Sequence, residues 1–156
     1  MIERISNWLL WMSALFLAVM TVILCWQVVA RYVLGNSPAW AEQIALVLII
    51  WSVFLGSSAG VGLGFHVRIS EGVERMSPRI ARFADLGSQL LIVVFGLLLL
   101  FWGIQLVFAT WQNAVPTLPF SRGAAYMVIP LSGLLIALFG VSHLLQGRKP
   151  GGESGI

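Results

Sequence analysis

The chain has 156 residues, of which 59% are hydrophobic and only 10% charged, with mean hydropathy +0.94 and a formal net charge of +3. That leaves too little polar surface to cover a water-soluble globule, so almost all of the chain belongs in lipid. The positive charge does not point to nucleic acid, because the basic residues sit on the flanks of apolar runs with no soluble domain to present them; anionic lipid is the expected counter-charge.

Four apolar stretches follow one another: Ile5 to Ala30, Trp40 to Leu63, Leu86 to Thr110 and Tyr126 to Leu145. About 20 apolar residues cross a hydrocarbon core as a helix, and a span in lipid must satisfy its own backbone hydrogen bonds. The expectation is an all-α membrane protein: one four-helix domain over 1–147 and a flexible cytoplasmic tail over 148–156.

The first span, about 5–33, is far longer than the apolar part of a signal peptide and ends in no small-residue cleavage site. Its apolar part alone would measure about 39 Å upright, which predicts tilt. Cys25 lies between Leu24 and Trp26, which does not suit a lipoprotein, and a single cysteine supports neither a disulfide nor a cysteine metal site. The second span, about 38–63, opens with Ser37 as N-cap and Pro38 as first helical residue. Its far half carries Ser52, Gly56, Gly60 and Gly64 at intervals of four. In lipid such a small-residue stripe marks a packing face, within this chain or on a separate subunit.

Across the segment at about 66–82 and into the start of the third span, Ile69, Val73, Met76, Ile80 and Phe83 alternate at spacings of four and three. Pro78 should divide this segment in two, yet each part would turn an apolar side to the membrane and basic residues to the headgroups. The expected structure is an amphipathic elbow, with His66, Arg68, Arg75, Arg79 and Arg82 at the lipid interface. The third span, about 83–111, is led by Ser77 and Pro78. The fourth, about 124–146, carries a shorter small-residue pair at Gly133 and Ala137 and a Pro130 that should bend it.

Four spans place both termini and the elbow on one side. That side holds Arg4, Arg68, Arg75, Arg79, Arg82, Arg148 and Lys149, against Arg31 and Arg122 on the other, which predicts N-in, C-in. Trp8 and Trp11 would lie at the inner boundary, and Tyr32, Trp40, Trp111 and Tyr126 at the outer one.

Candidate chemistry is sparse. Glu42 is an acid near a membrane, by default a proton or ion site, but its place in the first turns of the second span favours an interfacial ion pair with Arg31 or a partner contact. His66 and His143 could in principle hold a haem, although both fall at helix ends. No phosphate loop, nucleophile with a base or paired carboxylates is present, so the expectation is not an enzyme and no bound cofactor. Three readings remain: a structural membrane subunit, a small proton-coupled exporter that would need its acid in a central chamber, and a haem-bearing anchor of a redox enzyme.

The stretch from Trp26 to Ser70 resembles the small membrane subunit, DctQ type, of tripartite ATP-independent periplasmic (TRAP) transporters. Gln27, Arg31 and Tyr32 match that family's exit from its first helix. Trp40 and Glu42 match the start of the second, Trp51, Phe54, Leu55 and Gly56 its core, and His66, Val67 and Ile69 its cytoplasmic exit. Thr117 to Gly133 resembles the family's outer loop and fourth helix, with Pro119, Tyr126, Ile129 and Pro130 in order. Two positions depart: the usual acidic pair is Glu42 and Gln43, and the usual Asp after the histidine motif is Ser70.

The resemblance implies a non-catalytic scaffold in a bacterial or archaeal inner membrane. It implies a large membrane subunit that carries the substrate and sodium, and a periplasmic binding protein that delivers an organic acid. Asn113, Ser121 and Arg122 lie on the side where that binding protein would dock.

Overall fold

The computed structural model describes residues 2–35, 38–64, 78–115, 117, 119 and 121–145; from 78 to 85 it describes the course of the backbone only. Among the described residues every regular element is a helix: α1 (Ile2–Tyr32), α2 (Ala39–Gly62), α3 (Pro78–Thr110), α4 (Arg122–Tyr126) and α5 (Val128–Leu145). The segments Ile2–Tyr32, Ala39–Gly62, Leu86–Thr110 and Arg122–Leu145 are each long and apolar enough to cross a membrane, which makes this a multi-pass membrane protein. At 31 and 33 residues α1 and α3 would reach about 46 and 50 Å upright, beyond a core of about 30 Å. They must tilt or project.

The ends of α2 follow from backbone chemistry. Pro38, expected as the first helical residue, instead forms the N-cap: its ψ of 111° is extended, and its carbonyl accepts the Ala41 N–H at 3.1 Å. Proline's fixed φ suits either position. At the far end Gly64 takes φ +75°, and its N–H donates to the Val61 carbonyl at 3.0 Å, a left-handed closure that suits a residue without Cβ.

The fourth span is two helices rather than the single one expected. Pro130 has no N–H to give the Tyr126 carbonyl, and the chain turns at Met127, whose own N–H reaches back to Ala124 at 3.4 Å. The Ser121 hydroxyl caps α4 by accepting the Ala124 N–H at 3.2 Å. An isolated antiparallel bridge joins Ala114 to Ser121, and the Arg122 N–H donates to Asn113 O at 2.7 Å, closing the loop that precedes α4.

α1 packs antiparallel along α2, α3 packs antiparallel along α5, and α2 meets α5 to join the two pairs. The contacts of this central seam, Trp51 with Ala125 of α4, then Ser58 with Ser132 and Gly62 near Phe139 of α5, advance in the same direction along the chain, so α2 and α5 run parallel. The order across the bundle is therefore α1, α2, α5, α3. Leu9, Leu55, Ala59, Val61, Val128, Ile136 and Phe139 form the core. The elbow's apolar residues up to Met76, with His66, Arg68 and Arg75, lie outside the described residues; Arg79 and Arg82 lie where only the backbone of α3 is described.

Candidate functional site

Two seams hold the bundle by different means. Between α1 and α2 the Ser13 hydroxyl donates to the Ser52 carbonyl at 2.7 Å and the Ser52 hydroxyl donates to the Ser13 carbonyl at 2.9 Å. The helices can approach this closely because Gly56 lies beside the clasp, where a Cβ would stand 2.9 Å from Ser13 Oγ. Lower down, Gly62 faces Ser6 in the same way. Between α3 and α5 the contact is backbone on backbone. A Cβ on Gly96 would meet Ala137 N at 2.7 Å, one on Gly133 would meet Leu100 N at 2.6 Å, and one on Gly103 would meet Pro130 N at 2.9 Å. In lipid, where burying apolar surface gains little, such close packing is a main source of association.

The stripe Ser52, Gly56, Gly60, Gly64 is thus divided by function. Ser52 and Gly56 face α1; Gly60 is half-buried; Gly64 lies past the helix end, with none of the described residues within 4 Å of a Cβ built there. Gly133 and Ala137 lie in the α3 seam. Gly96 and Gly103, which the sequence reading passed over, lie opposite them. Their signal was a spacing of seven, two helical turns, shared with Gly133 and Gly140 on the partner helix.

Hydroxyls buried at the central seam are satisfied locally: Ser58 donates to Phe54 O at 2.9 Å and Ser132 to Ile129 O at 2.8 Å. Trp51 Nε1 donates to Ala125 O at 2.9 Å, and its ring meets Phe16 edge-on at 6.1 Å between centroids. This anchors the broken fourth span and α1 to α2 at one point.

The charged candidates are not brought together. Arg31 in the last turn of α1 and Glu42 in the first turn of α2 are both exposed, and among the described residues no ion pair joins them. Glu42 thus faces outward rather than into an interior chamber. His143 is half-buried in the last turn of α5, its Nε2 without a hydrogen-bond partner among the described residues, while His66 lies outside them.

The outward surfaces of α1 and α3 are the most extensive apolar ones. α1 buries only Ser6, Leu9 and Ala30, and on α3 Phe95, Phe101, Trp102 and Phe108 are each more than half exposed. Gln105 is exposed among them, its amide bonded to nothing among the described residues. A shallow apolar groove of about 210 Å³ runs beside it, lined by Phe95, Leu98, Leu99, Trp102, Gly103, Leu106 and Ile129. At the end of the bundle where α2 begins, a second cleft of about 330 Å³ is lined by Gln43, Leu46, Val47, Ile50, Val115, Arg122, Ala125 and Tyr126.

Comparison with known proteins places this geometry. Residues 20–149 match the profile of the family described as tripartite ATP-independent periplasmic transporters, DctQ component. A putative TRAP transporter small permease protein of Haemophilus influenzae is 22% identical over 137 residues, 83% of this chain and 81% of that protein. The C4-dicarboxylate TRAP transporter small permease protein DctQ of Vibrio cholerae is 26% identical over 87 residues, 56% of this chain and 38% of its own length. The sialic acid TRAP transporter permease protein SiaT of another Haemophilus influenzae strain is 29% identical over 104 residues. That match covers 67% of this chain but only 16% of SiaT.

Proposed function

The chain belongs to the DctQ component family of TRAP transporters, and from that premise we propose that it is a non-catalytic brace for a large, sodium-coupled transport subunit in the inner membrane of a bacterium or archaeon. The imported substrate is an organic acid delivered by a periplasmic binding protein, and sodium binds in the large subunit rather than here.

The observation that carries this reading is the outward face of α3. Gln105 lies five residues inside the end of that helix, among Phe101, Trp102 and Phe108, with its amide unpaired among the described residues. A bare amide in hydrocarbon is unfavourable, whereas a second helix laid on this face would supply both a hydrogen-bond partner and packing for the aromatic rings. The interior supports the same conclusion. Its core is packed with aliphatic and aromatic side chains, its seams are lined by small residues, and its Ser58 and Ser132 hydroxyls are bonded to helix carbonyls, suited to holding helices together rather than to passing a solute.

The test is affinity purification of the tagged chain from its native membrane in mild detergent, followed by mass spectrometry. Recovery of a large, many-helix membrane protein in equal amount is expected. Recovery of the chain alone, active in export when reconstituted, would overturn the brace.

A further inference from the structure

We propose that the cleft at the start of α2 is a phospholipid site, with the headgroup phosphate at Arg122, Tyr126 and Gln43 and an acyl chain laid along Leu46, Val47 and Ile50. The four α2 residues fall at i, i+3, i+4 and i+7, so they share one face and span about 10 Å of helix axis. Along α2 the polar Gln43 stands nearest the helix start and the aliphatic residues follow it, with Arg122 and Tyr126 lining the same cleft. A glycerophospholipid offers the matching pair, a charged headgroup joined to an aliphatic chain.

The polar groups are available. Arg122 is exposed, and among the described residues its guanidinium makes no hydrogen bond or ion pair, and the Tyr126 hydroxyl and Gln43 amide likewise lack a partner. A guanidinium offers a planar fork of donors that suits two phosphate oxygens, with the phenol and amide as further donors. The walls are held in place. The Arg122 N–H is bonded to Asn113 O at 2.7 Å, and the Ala125 carbonyl accepts Trp51 Nε1 at 2.9 Å. Val115 and Ala125 are each 6% exposed and give the cleft solid sides. The volume falls within the range of about 300–1,000 Å³ typical of small-molecule pockets. A free phosphate would satisfy Arg122 but leave the aliphatic strip uncovered, and the acidic side chain of a protein partner would do likewise. Lipid covers both, and it surrounds every multi-pass chain. This site does not depend on the brace reading.

The test places the chain, with whatever membrane partners purify alongside it, in nanodiscs containing phosphatidylglycerol with a photoactivatable acyl chain. Labelled residues are mapped by mass spectrometry. Labelling is expected on Leu46, Val47 and Ile50, falling at least about fivefold in Arg122→Gln, which removes the cation, and in Val47→Trp, which fills the acyl path. Labelling of the outward face of α1 should stay constant in both variants, which also reports that they remain folded, and inorganic phosphate should not compete. Labelling insensitive to both substitutions would mean ordinary annular lipid and overturn the site. Competition by inorganic phosphate, or cleft residues crosslinked to a protein partner in place of lipid, would overturn it as well.

Discussion

Gly96 of α3 and Gly133 of α5 exclude side chains reciprocally. A Cβ built on Gly96 stands 2.9 Å from the Gly133 carbonyl oxygen, and one built on Gly133 stands 2.8 Å from the Gly96 carbonyl oxygen. The obstacle on each side is backbone, which cannot rotate out of the way as a side chain can. The seam therefore behaves as one unit along the two helices.

Gly96→Ala and Gly133→Ala are expected to destabilise the chain by about 1–3 kcal/mol each, the usual cost of overpacking. Gly87 on the same helix has nothing within 4 Å of a built Cβ, so Gly87→Ala should be neutral or stabilising by up to about 1 kcal/mol. Thermal unfolding of the three variants in one detergent separates close packing from a general effect of alanine. Equal behaviour of all three would contradict the seam.

The Ser13 and Ser52 clasp should show coupling. In a double-mutant cycle of Ser13→Ala and Ser52→Ala the interaction energy is expected at about 0.6 kcal/mol, with about 1.7 as the upper range for such bonds within membranes. Strictly additive single effects would mean that the two hydroxyls act independently.

Trp51→Phe retains an aromatic ring against Phe16 but loses the donor to Ala125 O. The expected cost is about 1 kcal/mol, and hydrogen exchange of the α4 amides should rise more than that of α2. If exchange in α4 is unchanged, the indole does not anchor that segment.

Gln105→Leu should leave the unfolding of the isolated chain unaltered or slightly improved, since the amide has no partner among the described residues. Recovery of the large subunit should fall about threefold to fivefold, the equivalent of about 0.6–1 kcal/mol for one interhelical hydrogen bond. Unchanged recovery would remove Gln105 from the partner interface.

Arg31→Gln and Glu42→Gln are each expected within about 0.5 kcal/mol of the parent, with no coupling between them, because both side chains are exposed and unpaired among the described residues. A loss of uptake in either variant without a change in stability would show that the residue acts on a partner.

Much of the fold was legible in the residues. Four long apolar runs can only be helices in lipid, and Pro130 in the last of them led to a bend, which the structure realises as a break at Met127. The matches around Arg31, Glu42, Trp51 and Gly56 were enough to suggest the family. The packing was harder to read. Ser52 and Gly56 belong to a visible stripe and do lie in a seam, but Gly64, of the same stripe, caps a helix, and Gly62, outside it, meets Ser6 and Phe139. The partnership of Ser13 with Ser52 had no signature on the α1 side, since Ser13 does not stand out in its own helix.

The residues by themselves determined that this chain spans a membrane four times and which family it joins, because backbone polarity in hydrocarbon leaves few alternatives and motif order survives divergence. Only the tertiary structure decided that α2 and α5 lie parallel at the centre with α1 and α3 outside, and that Gly96 meets Gly133. The reason lies in the solvent. In water a buried leucine differs in energy from an exposed one, so periodicity reveals the inner face; lipid tails are as apolar as leucine, and every face of α1 or α3 would read alike until close backbone contact chose among them.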